Sequence, residues 1–466
     1  MQIKCRKFIE DHFSEMVRDL SALVSVKSVK GEAQEGMPFG EGPAKALDMM
    51  LSLARKYGFH TENHEGYVGT IDLNPELPTT LGILCHLDVV PEGTGWKTPP
   101  YSLMMSNGKM FGRGVIDNKG PAIAVLYAMR AIRECKIPIT QNVRFIVGTD
   151  EENGSSDLTY YKAKETLPPR VFTPDAEYPL INIEKGMIRG EFATNAGYAV
   201  GERSILSAWG GTVINAVPEL AHAIVRGFTP NVLRATAAAT SARFKGLSFE
   251  FKQEGENIKI TAMGKGAHAS TPDRGVNAIT GLCAYLASLE TDDETGYSFK
   301  RLSEAYAHGD TEGRSLGVAQ ADEESGALTT VFSILDYSEG VIHGKFDCRF
   351  PVCENLAGIK EKFACGFDSY GIKLIDVHGV EAHKVDENSD FVQTLLGIYR
   401  EMTGSKGRPI AVGGGTYVHE IEGGVAFGAE FPGEVNNMHG ANESFSANNF
   451  RKNSVIFAEA IARLCK

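Results

Sequence analysis

Apolar positions along the chain follow three styles, and each predicts a different kind of element. LGILCHLDVV (81–90) and the apolar part of NVRFIVGTDEENG (142–154) are continuous runs of strand length that turn polar at one end. Such runs fit strands buried on both faces, as in a parallel sheet. PRVFTPDAEYP (169–179) is a third, shorter run of that kind. EGPAKALDMMLSLARKYG (41–58) and KGPAIAVLYAMRAIREC (119–135) carry helical spacing, the first closed by a glycine and the second with Pro121 in its first turn. Strand, helix, strand in this rhythm predicts an α/β domain whose mostly parallel sheet is flanked by helices.

From about Gly186 to His383 the style becomes alternation. IKITAMGKGAH (258–268) and ALTTVFSILDYSEGVIHGKFDCRFPV (327–352) have period two, which suits an antiparallel sheet with one wet face. VPELAHAIVRGF (217–228) and GVNAITGLCAYLASLE (275–290) read as intervening helices. After about residue 385 the helical style returns in DFVQTLLGIYREMTG, before the glycine-rich IAVGGGTYVHEIEGGVAFGAEFPG. The expected organisation is a catalytic domain, 1–185 plus 384–466, interrupted by an α+β domain, 186–383, long enough for two α+β subdomains.

Composition narrows the function classes. The 466 residues are 42% hydrophobic and 23% charged, which excludes a disordered chain. A net charge of −12 argues against a phosphate-tracking surface and favours cations near a cleft. No apolar run reaches the roughly 18 residues of a membrane span, and the eight cysteines form no CxxC pair. The expectation is a cytoplasmic protein with buried thiols and neither nucleic-acid nor membrane partners.

Chemistry-bearing residues gather where strands are predicted to end. His86 and Asp88 are two apart, so on a strand they leave by the same face. In open parallel sheets ligands bind beyond those carboxyl ends. Asp117 follows the GRG turn just before a helix, where a capping acid is the plain alternative. Asp150, Glu151 and Glu152 are adjacent acids that need neutralising, or else form a solvated loop. If strand alternation continues through them, Glu151 and Glu152 face opposite ways and hold separate jobs. Asp175 and His439, in TPDAEYP and NNMHGANESF, are single groups that are commonly structural. Together the set offers two imidazoles and several carboxylates, the donors of zinc, manganese or cobalt. No GxGxxG follows a strand, so a nucleotide-dependent oxidoreductase lacks its fingerprint.

HLDVVP, GRGVIDNKG, GTDEENGS, TPDAEYP, GKGAHASTP, GGGTYVHE and NNMHGANES, in this order from about residue 80 to 445, resemble the M20 family of co-catalytic metallopeptidases, in particular its PepV-like dipeptidases. The resemblance implies two divalent ions, Zn²⁺ or alternatively Mn²⁺ or Co²⁺, held by His86, Asp117, Glu152, Asp175 and His439, with Asp117 bridging. It implies Asp88 as the acid that orients His86 and Glu151 as the general base acting on a water between the metals. His268 matches the histidine that polarises the scissile carbonyl. Asn215 and Arg349 match groups that bind the far end of the substrate, and Gly414, Gly415 and Thr416 a backbone turn against it. The implied substrate is a dipeptide with a free amino terminus. An N-acyl amino-acid deacylase or desuccinylase shares the metal motifs and is the nearest alternative, and a silent peptide-binding protein would be expected to carry a damaged site. In dimeric relatives a partner chain supplies the oxyanion histidine. The long insertion here instead implies a monomer whose lid completes its own site.

Overall fold

The computed structural model describes residues 2–466, which form two compact units. The first comprises the chain up to Ile183 with Lys384–Ile410 and Gly415–Lys466. The second comprises Glu184–His383 with Ala411–Gly414. Among the described residues no helix is long and apolar enough to cross a membrane.

In the first unit Thr79–His86 is a central strand, buried from Leu81 onward. It pairs in parallel with Asn142–Gly148 on one side and Arg170–Thr173 on the other. Val425–Ala426 continues the parallel set beside Arg170–Thr173, while His60–His64 and Val68–Asp72 form an antiparallel edge. His86 lies opposite Gly148, so the carboxyl ends of the central strands finish side by side. Helix Lys119–Glu134 is buried on every side from Lys119 to Ile132, which explains why its sequence has almost no polar face. It packs on the central strand and on the helix Ala447–Leu464.

The second unit is built on one eight-stranded antiparallel sheet. The segment 217–228, expected to be helical, is instead a strand, Leu220–Arg226. Ala221, Ala223 and Val225 are buried at alternate positions, and strands pair with it on both edges. Its short apolar stretch fits both periods, and tertiary pairing decides.

The order of elements in this sheet repeats. Ser204–Gly210, Leu220–Arg226, helix Pro230–Arg243 and Ser248–Glu254 run strand, strand, helix, strand. Thr329–Ser338, Val341–Phe350, helix Leu356–Ser369 and Lys373–Val380 do the same. In the first set Asn257–Met263 lies between the second and the outermost strand, and in the second set Gly186–Asn195 takes that place. The two sets join where Ala208 pairs with Tyr337, and they share one apolar core.

Candidate metal centre

The parallel strands deliver the first donors. His86 is the last residue of its strand and fully buried. Its Nδ1 sits 3.0 Å from the main-chain oxygen of Asp88 and 3.4 Å from that residue's Oδ1. Its Nε2 is 2.8 Å from Asp117 Oδ1 and 3.4 Å from Asp175 Oδ2. Asp175 follows the strand Arg170–Thr173 and accepts from Asn118 Nδ2 at 2.7 Å. The peptide bond between Asp117 and Asn118 is cis.

The other oxygen of Asp117 faces the last motif. His439 Nε2 lies 2.7 Å from Asp117 Oδ2 and 3.3 Å from Glu152 Oε2. One carboxylate therefore stands between two imidazoles, each with a further acid beside it.

The acidic motif departs from the strand expectation. The strand stops at Gly148, and Glu151–Asn153 is a 3₁₀ turn. The two acids still separate. Glu151 groups with His86 and Asp175, and Glu152 with His86 and Asp117, each set of ligand atoms lying within 4.8 Å. Asp88 holds this turn, accepting Glu151 N–H at 3.2 Å and Glu152 N–H at 3.1 Å on separate oxygens. Behind it, Asp157 Oδ2 accepts from Thr149 N–H at 2.5 Å, Asp150 N–H at 2.9 Å and the Tyr417 hydroxyl at 2.5 Å. A Cβ on Gly148 would lie 2.0 Å from that hydroxyl, so the motif requires glycine there.

The electrostatics are those of crowded carboxylates. Burial, then Asp175, Glu152 and Asp117, push Glu151 well above the usual carboxylate range against the pull of His86. Burial and Asp117 push Glu152 up to about 7. Burial alone would raise Asp117, but hydrogen bonds from His439 and His86 hold it well below its ordinary value. Burial would lower His439, yet Asp117 and Glu152 push it up to about 11.

The donor set fits divalent cations. Tetrahedral ligands at about 2.0–2.1 Å from zinc lie roughly 3.3 Å apart, close to the 3.3 and 3.4 Å separations of His439 from Glu152 and of His86 from Asp175. Glu152 Oε1 is buried with no hydrogen-bond partner, a costly arrangement that a cation would relieve.

The second unit brings a smaller group together. Ala216 pairs with His268, and Ala269 N–H donates to Asn215 O at 2.9 Å. His268 Nδ1 lies 2.7 Å from Ser270 Oγ and accepts Ser270 N–H at 3.2 Å. Arg349 is 5% exposed and clasps Asp347 through Nε at 2.7 Å and Nη2 at 3.0 Å. Its Nη1 donates to Gly413 O at 2.7 Å, so two of the five guanidinium donors remain. A Cβ on Gly414 would meet nothing within 4 Å. In the first unit, Gly415 is exposed, and Thr416 Oγ1 caps the turn Tyr417–Glu420 by accepting Val418 N–H. Sequence reasoning does not single out Asp157 or Tyr417, because a lone acid and a lone tyrosine carry no motif.

Residues 82–463 match the model of Peptidase family M20/M25/M40. The chain is 33% identical over 464 residues to a Bacillus subtilis protein provisionally named as the dipeptidase YtjP, covering 97% of both. It is 32% identical over 475 residues to the Beta-Ala-Xaa dipeptidase of Lactobacillus delbrueckii subsp. lactis, covering 100% of this chain and 99% of that one. The structure of human carnosine dipeptidase 1 superposes with a TM-score of 0.58 at 17% identity, covering 100% of this chain and 98% of that one, a likeness of fold.

Proposed function

The chain belongs to peptidase family M20/M25/M40 and is a hydrolase, and on that premise we propose that it is a di-metal dipeptidase acting on dipeptides with a free amino terminus. The observation that carries this reading is Asp117, whose two oxygens each meet a different imidazole, with Asp175 and Glu152 as the outer acids. The proposed ligands are His86 and Asp175 for one ion, Glu152 and His439 for the other, and Asp117 for both. Two divalent ions in such a site polarise the scissile carbonyl and lower the pKa of water.

The chain's own groups would then divide the remaining work. Glu151 accepts the proton of the attacking water and passes it to the leaving amine, and the upward push on its carboxyl suits that exchange. Asp88 fixes the turn that presents it. His268 donates to the developing oxyanion. The remaining donors of Arg349, with Asn215 and the turn at Gly414, Gly415 and Thr416, take the substrate's far end. The repeated strand–strand–helix–strand sets of the second unit support a lid that substitutes for a partner, and hence a monomer with a self-contained site, while the eight free cysteines suit a reducing compartment, the cytoplasm.

The test compares a free dipeptide with its N-acetylated analogue, using enzyme stripped of metal and reloaded with zinc, manganese or cobalt. Cleavage of the free dipeptide alone is expected. Preference for the acetylated compound would reassign the chain to the amidohydrolases. Refolding His268→Ala together with Glu151→Gln tests the monomer: no regained activity is expected, and substantial rescue would place the histidine in a partner chain.

A further inference from the structure

Arg113 and Glu443 are almost fully buried beside the metal centre, and neither belongs to the ligand set. Glu443 Oε2 accepts from Arg113 Nη1 at 2.7 Å and from Gly114 N–H at 3.1 Å. Its Oε1 accepts from Ile116 N–H at 3.0 Å and from Asp117 N–H at 3.4 Å. One carboxylate thus gathers the backbone of the turn that presents Asp117. Arg113 Nη2 donates to the main-chain oxygen of His439 at 3.2 Å and to that of Pro91 at 3.2 Å. Trp96 covers the guanidinium, its ring centroid 5.3 Å away.

The residue held by Arg113 is itself unusual. His439 has φ 59°, in the left-handed region that non-glycine residues rarely adopt. Such a conformation persists only where its surroundings fix it. Arg113 Nε, meanwhile, is buried without a partner. A buried ion pair with an unsatisfied donor is poorly suited to stabilising the fold, since hydrophobic replacement of such pairs is often neutral or better.

We propose that the Arg113–Glu443 pair is a positioning unit that sets the separation between the loops of Asp117 and His439, and so the spacing of the two metal positions. The proposal rests on the reading of those two residues as ligands. Glu443→Gln keeps the size of the side chain but replaces one acceptor oxygen with an NH₂ facing backbone N–H groups. It disturbs the turn of Asp117, the shared ligand. Arg113→Lys keeps the charge but loses the fork that reaches His439.

The experiment titrates metal-free, full-length protein with Co²⁺, following its visible spectrum and its competition with a chelator, alongside thermal melts of the metal-free proteins. Wild type is expected to bind two equivalents. Arg113→Lys should keep one at wild-type affinity and bind the other roughly 10–100-fold more weakly. Glu443→Gln should weaken both and alter the cobalt spectrum. Variants that bind both ions with wild-type affinity and spectrum, whatever their melting temperatures, would overturn the positioning role. If Glu443→Gln does not fold, Arg113→Lys decides by itself. Wild-type protein that binds no Co²⁺ would overturn the ligand reading and this proposal with it.

Discussion

In the first unit, groups from distant parts of the chain meet within hydrogen-bonding distance beyond the central strands: His86, Asp117, Asp175 and His439. In the second, Asn215 and His268 adjoin on one short pairing, and Arg349 is clasped by its near neighbour Asp347. The difference follows from strand direction. Parallel strands end on the same edge, so what each carries just past its last residue becomes a neighbour of the others. Antiparallel strands end alternately at opposite edges and disperse whatever they carry. The same difference separates a cluster of carboxylates and imidazoles that could hold a metal ion from a carboxylate already matched by its own arginine.

Predictions can be ordered by how strongly they test that contrast. Removal of metal should cost most, reducing peptide hydrolysis to background, and elemental analysis of active protein should show divalent ions. Next, Glu151→Gln should lower kcat by about 10²-fold or more while retaining metal, whereas Glu152→Ala should lose metal. Both effects belong to the first unit. For the second unit, His268→Ala should cost on the order of 3 kcal/mol of transition-state stabilisation, with metal content unchanged; loss of metal in this variant would break the division of labour. Arg349→Lys should raise KM roughly 10-fold with little change in kcat, because a point charge replaces a planar fork. The smallest effect is expected from Tyr417→Phe, which removes one of the hydrogen bonds to Asp157 and should cost about 1 kcal/mol in urea unfolding of the metal-free protein.

Strand direction also explains what the sequence discloses. The central parallel strands have apolar stretches that end in, or run on to, histidines or acids, so both the elements and their chemistry can be read at LGILCH and FIVGTDEE. The alternating Leu220–Arg226 is too short to separate from a helix, and only its pairing on both edges settles it. The divergence of Glu151 and Glu152 is legible, but its cause is not. Strand alternation suggests it, while a 3₁₀ turn pinned by Asp88 produces it. Asp157 holds backbone groups seven and eight residues before it, while Arg113 and Glu443 are separated by 330 residues, and no local pattern marks such bonds.

The repeated order of strands and helices in the second unit has a consequence for how it can change over time. In a homodimer, any substitution arises in both copies at once, and symmetry obliges both to accept it. Here the two sets lie in one chain, and each position mutates independently. Asn215 and His268 follow strands of the first set, while Arg349 lies on a strand of the second. A duplicated scaffold of this kind frees each half to diverge on its own, so what one set carries need not be matched at the equivalent place in the other.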